Sequence, residues 1–332
     1  MINKVAKLRE VLKEFAPEAE FKLISWIDKN NNPSSLYLTS PNKNSEYLNG
    51  KYFYDENSSL IHFTDWKSLR SICENGTLWL FNFKKMDDPL EYVYSRGLFD
   101  TEDNVFNALE NIFSVSFCKE ELLREENILS QFNQWRLYGE KGKGACIVFS
   151  LVNDPKGWES HHLSKVYYGD YTDIGSAKSD FGRLKECLIQ LSQDKPRIGF
   201  DLGKFFCFHK SYLYKSEQEI RLIYDARSDR FGSLNKQYSF KGVYKYPILK
   251  SYESNDNKGV KYLKLPLNEK CFIKSEEIPK LKIDKVIIGY GYSKTEYMDK
   301  GKEIKKLCQA GLGYEPEIER SKLAVHYWGN EK

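Results

Sequence analysis

Short apolar runs, each too brief for a helix and set at irregular intervals, most limit what this chain can fold into. They read as strands at Leu60-Ile61-His62-Phe63, Thr77-Leu78-Trp79-Leu80-Phe81, Ala145-Cys146-Ile147-Val148-Phe149, Val166-Tyr167-Tyr168, Ile220–Tyr224, Tyr262–Leu267 and Val286–Ile288. Phe113-Ser114-Val115-Ser116-Phe117 alternates as a half-buried strand would. Between them stand a few helical periods, over 181–191, 198–206 and 294–308, with a weaker one over 105–112. Many short strands with a few helices in no regular alternation predict an α+β fold rather than a doubly wound one.

The N-terminal segment differs. Ile2, Val5, Leu8, Val11, Leu12 and Phe15 recur at helical spacing with charges between them, and Pro17 closes the segment. The stretches Asn30–Ser35 and Pro41–Ser45 are rich in turn residues and predict loops. Residues 1–55 therefore read as an extension of amphipathic helix and loops before a main domain over 56–330. Docking on that domain is the commoner fate of such a helix, and holding a partner is the alternative. Within the domain, Thr64 or Asp65 can cap a helix carrying Leu69, Ile72 and Cys73, and Asn75-Gly76 ends it.

Charge separates few partners. The 51 Lys and Arg against 47 Asp and Glu leave +4, and the lysines between Lys241 and Lys285 are interrupted by acids, as on a solvated face. No window has the length and apolarity of a membrane span, and the first residues lack a signal peptide's apolar core. Seven scattered cysteines, without a Cys-x-x-Cys pair, read as reduced, mostly buried thiols of a cytoplasmic protein. Cys207-x-His209 and His161-His162 lack ligand company at usable spacing, so no metal site is expected. Aromatic residues make 15% of the chain, which first of all means a core rich in rings.

Four stretches can carry chemistry. His62 ends a strand just before a helix cap, where a histidine is most often held structurally by a carbonyl. Glu217-Gln218-Glu219-Ile220-Arg221, if extended, places Glu217, Glu219 and Arg221 on one face. Two carboxylates there raise each other's pKa unless a cation such as Arg221 intervenes. The commoner outcome is a charged edge strand, but the apolar run that follows argues for burial. Gln134-Trp135-Arg136-Leu137-Tyr138-Gly139, followed by Gly142-x-Gly144, offers a ring and a guanidinium, and the glycines lack a phosphate-loop frame and read as a turn into the strand at Ala145. Met86-Asp87-Asp88-Pro89-Leu90-Glu91-Tyr92 reads as a helix start capped by Asp88.

Taken in order, these motifs resemble a large bacterial family long labelled a domain of unknown function. They are Leu60-Ile61-His62-Phe63-Thr64, Asn75-Gly76-Thr77-Leu78-Trp79, Asp88-Pro89-x-Glu91, Phe113-Ser114-x-Ser116-Phe117, Gln134-Trp135-Arg136-x-Tyr138-Gly139, Glu217-x-Glu219-x-Arg221 and Val286-Ile287-Ile288-Gly289. The resemblance spans roughly residues 59–325. That family is grouped with the ADP-ribosyltransferase fold, which implies a split β-sheet cleft holding NAD as co-substrate. It implies that His62, with Phe63 and Thr64 beside it, meets the ribose that bears nicotinamide. Glu219 would hold the same ribose and stabilise the oxocarbenium ion, and Glu217 would position or deprotonate the acceptor, the two roles being exchangeable. Trp79, Trp135 or Tyr138 would stack on nicotinamide, and Arg136 or Arg221 would meet the pyrophosphate. The central tyrosine motif of the toxin-like members has no equivalent here. The implied acceptor is RNA, DNA or protein, the implied setting a toxin or anti-phage effector with an antitoxin partner. The alternatives are an inactive nucleotide or nucleic-acid binding module of the same fold and, ranked last, an RNA 2′-phosphotransferase.

Overall fold

The computed structural model of the chain describes residues 2–19, 23–27, 33–38, 43–54, 56, 58–83, 94, 112–169, 183–184, 186–187, 190, 197–200, 203–226, 250–253, 259–268 and 276–329. In chain order the elements are α1 (Ile2–Phe15), β1 (Leu23–Ile27), β2 (Pro33–Leu38), β3 (Leu60–Thr64), α2 (Trp66–Asn75), β4 (Thr77–Asn82), β5 (Ile112–Lys119), α3 (Ile128–Leu137), β6 (Ala145–Leu151), β7 (His161–Lys165) and β8 (Tyr167–Gly169). There follow β9 (Arg197–Phe200), α4 (Gly203–Phe206), β10 (His209–Ser211), β11 (Glu219–Asp225), β12 (Lys250–Glu253), β13 (Gly259–Pro266), β14 (Leu281–Ile288), α5 (Lys294–Gly311), β15 (Glu317–Arg320) and α6 (Ala324–Trp328). The fold is α+β.

Local sequence explains the α2 unit. The Asp65 carboxylate accepts from the Ser68 backbone N–H at 2.7 Å, so Asp65 rather than Thr64 is the cap. Gly76 ends the helix in the left-handed conformation (φ 59°), where a β-carbon would meet the Gly311 carbonyl oxygen at 2.5 Å.

The main sheet runs β12-β13-β4-β5-β3-β6-β14-β15, with β11 on the remaining edge of β5 and β7 beyond it. Strand β5 is the hub. One edge pairs with the whole of β11, Glu219 opposite Cys118 through Asp225 opposite Ile112. The other edge is shared: Phe113 and Ser114 pair with Asn82 and Phe81 of β4, while Cys118 and Lys119 pair with Ile61 and Leu60 of β3. Residues 115–117 lie where β3 and β4 part.

Both faces of this sheet are covered. One carries the large core in which Leu69, Ile72 and Cys73 of α2 and Ile304 and Cys308 of α5 meet Phe117, Ile147, Phe149, Ile220 and Leu222. The other carries two smaller clusters. In the first, α1 docks through Leu8, Val11, Leu12 and Phe15 on Tyr47, Tyr52, Phe205 and Ile223. In the second, Trp135 of α3 packs with Phe63, Cys146, Val148, Ile287 and Tyr290. Each fully buried large apolar side chain contributes roughly 1.5–3 kcal/mol, so the three clusters are what hold the layers together.

Three expectations change. The helical period over 198–206 is in fact β9 and a single turn, because Arg197–Phe200 pairs in parallel with Ser35–Leu38 of β2. That pairing also makes a strand of residues 33–35, read from sequence as loop, with Pro33 at the strand's first position, where a missing N–H costs least. Strand β5 is buried on both faces (Ser114 2% exposed, Val115 6%), since clusters cover the sheet from both sides. The expected helix over 105–112 and the Met86–Tyr92 turn fall on residues that, Ile112 apart, lie outside those described. Arg183, Leu184, Glu186, Cys187 and Gln190, all within the expected 181–191 helix, are helical. No helix among the described residues is long and apolar enough to cross a membrane.

Candidate functional site

Strand periodicity sets Glu219 and Arg221 two residues apart on the same face of β11. That face lies between the two smaller apolar clusters, so both side chains are buried, at 4% and 0% exposure. Arg221 Nε donates to Glu219 Oε1 at 2.8 Å, with Nη2 2.7 Å from the same oxygen, and Nη1 donates to the Cys207 carbonyl at 2.5 Å. Its guanidinium also sits 5.2 Å over the Phe83 ring. Ser116, opposite Arg221 on β5, donates from Oγ to Glu219 Oε1 at 2.5 Å. Burial alone would raise the Glu219 carboxyl, but the Arg221 and Lys210 charges and the Ser116 hydrogen bond outweigh it and hold the group down at about 2. Glu219 is therefore a fixed anion at neutral pH.

Glu217 does not share the strand. It ends a 3-10 helix over Tyr212–Glu217, and Gln218 follows in the left-handed conformation (φ 47°) before β11 begins. The expected extended Glu217-x-Glu219 arrangement is corrected by this twist at Gln218, yet both carboxylates still meet one cation. Lys210 of β10 places Nζ 2.8 Å from Glu217 Oε2 and 2.9 Å from Glu219 Oε2. Two acids and two bases, all buried, thus form one neutral network. Glu217 Oε1 accepts from the Tyr138 phenol at 2.6 Å. Burial and that neighbouring carboxylate push the Tyr138 hydroxyl well above the usual phenol value, so it remains a donor. Tyr138 is 45% exposed, so this end of the network lies near the surface. The Tyr168 hydroxyl accepts from the Glu219 backbone N–H at 2.8 Å.

His62 joins this network indirectly. Its Nδ1 lies 2.8 Å from the Ser116 carbonyl oxygen, which can only accept, so Nδ1 carries the proton. Burial lowers its pKa, opposed by that hydrogen bond. The register puts Ile61 on the face of Cys118 and Glu219 and His62 on the other face, edge-on to Phe117 at 6.0 Å. Ser116 bridges the sheet, its carbonyl to His62 and its hydroxyl to Glu219, at the edge where β3 and β4 part.

The structure gathers Glu217, Glu219, Arg221 and Tyr138, and ties His62 to them through one residue. It leaves the others elsewhere. Phe63 packs against Trp135 at 5.1 Å in the neighbouring apolar cluster, and Thr64 is buried at the end of β3. Trp79 stacks on Tyr262 at 4.1 Å, under Lys264. Arg136 is exposed and rests over Phe132 at 5.9 Å. Sequence reasoning missed Lys210, Ser116 and Tyr168. The alternation of Phe113–Phe117 signalled where Ser116 points, but nothing local marked Lys210. No family model, curated protein or solved structure matches the chain.

Proposed function

We propose that the chain is an NAD-dependent ADP-ribosyltransferase that modifies a macromolecule, RNA, DNA or protein, in the manner of a cytoplasmic toxin or anti-phage effector restrained by an antitoxin. The observation that carries this reading is the pair of buried carboxylates, Glu217 and Glu219, joined through Ser116 to His62 at the divided edge of β5. On this reading that division is the split cleft of the transferase fold. Glu219, kept ionised by Arg221, stabilises the positive charge that develops on the ribose as nicotinamide leaves, a preorganised electrostatic effect that ranks among the largest catalytic terms. Glu217, behind the half-exposed Tyr138, accepts the acceptor's proton. Lys210 closes both carboxylates and must give way when substrate enters.

The test is incubation of purified protein with NAD and cell lysate, following nicotinamide release and transfer of label, with Glu217→Gln and Glu219→Gln alongside and folding monitored. Loss of transfer in folded variants supports the proposal; full transfer in both refutes the assignment. A second reading, a non-catalytic nucleotide or nucleic-acid binding module, is favoured by the complete mutual neutralisation of the four buried charges. It expects nucleotide binding without nicotinamide release, and nucleic-acid binding that weakens steeply with salt.

A further inference from the structure

Alternation along β4 sends Leu78 and Leu80 into the large core and puts Trp79 and Phe81 on the opposite face of the sheet. The register with β13 sets Tyr262 opposite Phe81 and Lys264 opposite Trp79, so these four residues share that face. Trp79 stacks on Tyr262 at 4.1 Å and stands edge-on to Phe81 at 6.1 Å, with the Lys264 ammonium 5.4 Å over the Trp79 ring. Tyr262 is buried, Trp79 and Lys264 are partly buried, and Phe81 is 38% exposed. Among the described residues no carboxylate pairs with Lys264. The same face leads to the carboxylate network. Phe81 pairs with Ser114 of β5, two residues before Ser116, and Phe83, two past Phe81, lies under the Arg221 guanidinium.

Charge on the bordering strands suits an anion. Strands β12 and β13 contain Lys250, Lys261 and Lys264 against Glu253 alone. In sequence, residues 236–264 hold seven lysines against two acids, an excess of five where the whole chain has an excess of four. Rings open on a sheet beside cations give unpaired bases a surface to stack on while phosphates meet the lysines; bases in a duplex already cover one another. Bases stand unpaired chiefly in the loops, bulges and ends of RNA. We infer that the face formed by Trp79, Phe81 and Lys264 binds single-stranded RNA, with a base on the Phe81 ring and the backbone along Lys264. As the acceptor's site it rests on the transferase reading; as a binding site it does not.

The test titrates the full chain into a fluorescein-labelled oligouridylate of about fifteen nucleotides, followed by fluorescence anisotropy. Wild type should bind it more tightly than the same strand annealed to oligoadenylate. Phe81→Ala should weaken binding about tenfold or more, and Phe81→Trp should keep it. Lys264→Gln should lower the slope of log affinity against log salt by about 0.7, the loss of one phosphate contact. Thermal melting checks that each variant folds, and if Phe81→Ala does not, Lys264→Gln decides alone. The inference fails if the oligouridylate does not bind, if neither substitution weakens it, if the duplex or an oligothymidylate binds more tightly, or if NAD displaces it. Transfer of label to a protein without RNA binding overturns this inference and leaves the transferase reading standing; RNA binding without nicotinamide release does the reverse.

Discussion

Replacing Glu219 by glutamine keeps size and hydrogen-bonding shape and removes one charge from the buried network, leaving Arg221 and Lys210 against Glu217 alone. The folded carboxyl sits at about 2 against an ordinary 4.5, so ionised Glu219 favours the folded state by about 3 kcal/mol at neutral pH. Stripping one partner from a buried pair costs a similar roughly 3–5 kcal/mol. With an unfolding entropy of about 0.7 kcal/mol/K for 332 residues, the melting temperature should fall by about 4–7 °C. The folded pKa is depressed, so this stability is present above the unfolded value and is lost as pH falls through 4.5 towards 2. The gap between wild type and Glu219→Gln should therefore shrink, to about 2 kcal/mol at pH 3.5. Urea unfolding followed by tryptophan fluorescence at pH 7 and pH 3.5 measures it. A packing defect would be independent of pH. An equal gap at the two pH values, or one under about 1 kcal/mol at pH 7, refutes the charge argument.

Tyr138→Phe removes the donor to Glu217 Oε1, but water reaches the half-exposed site, so urea titration should show a loss of about 1 kcal/mol or less. His62, its pKa lowered by burial, should titrate by NMR with a midpoint below 6.5, and a midpoint above that value contradicts its placement. Gly144→Ala would put a β-carbon 2.1 Å from the Thr64 carbonyl oxygen, between two backbones that cannot yield. Its equilibrium unfolding should show a loss of about 3 kcal/mol or more, or no soluble protein should be recovered.

Much of this protein is legible along the chain. The spacing of Leu8, Val11, Leu12 and Phe15 marks the docking stripe of α1, Asp65 and Gly76 mark the ends of α2, and alternation from Glu219 to Arg221 puts acid and base side by side. These are local facts, because period and capping depend on residues a few positions apart. Residues 33–35 and 198–200 depart from their local turn and helix signals because pairing between β2 and β9, strands far apart in sequence, outweighs them, while 203–206 is helical as its period predicts. Glu217 shows the limit most sharply. Sequence alternation assigns it to the strand, whereas one left-handed residue, Gln218, turns it aside, and it still meets Glu219 through Lys210. Sequence by itself determined which residues are acid, base or apolar and, inside the elements whose period it marks, such as α1 and β11, which face each takes. Only tertiary structure decided that Lys210 from β10 closes both carboxylates, that Ser116 links His62 to Glu219, and that Trp135 packs in a cluster apart from them. Those outcomes depend on which distant strands become neighbours, a choice made by the burial energy of whole faces rather than by any residue's local preference.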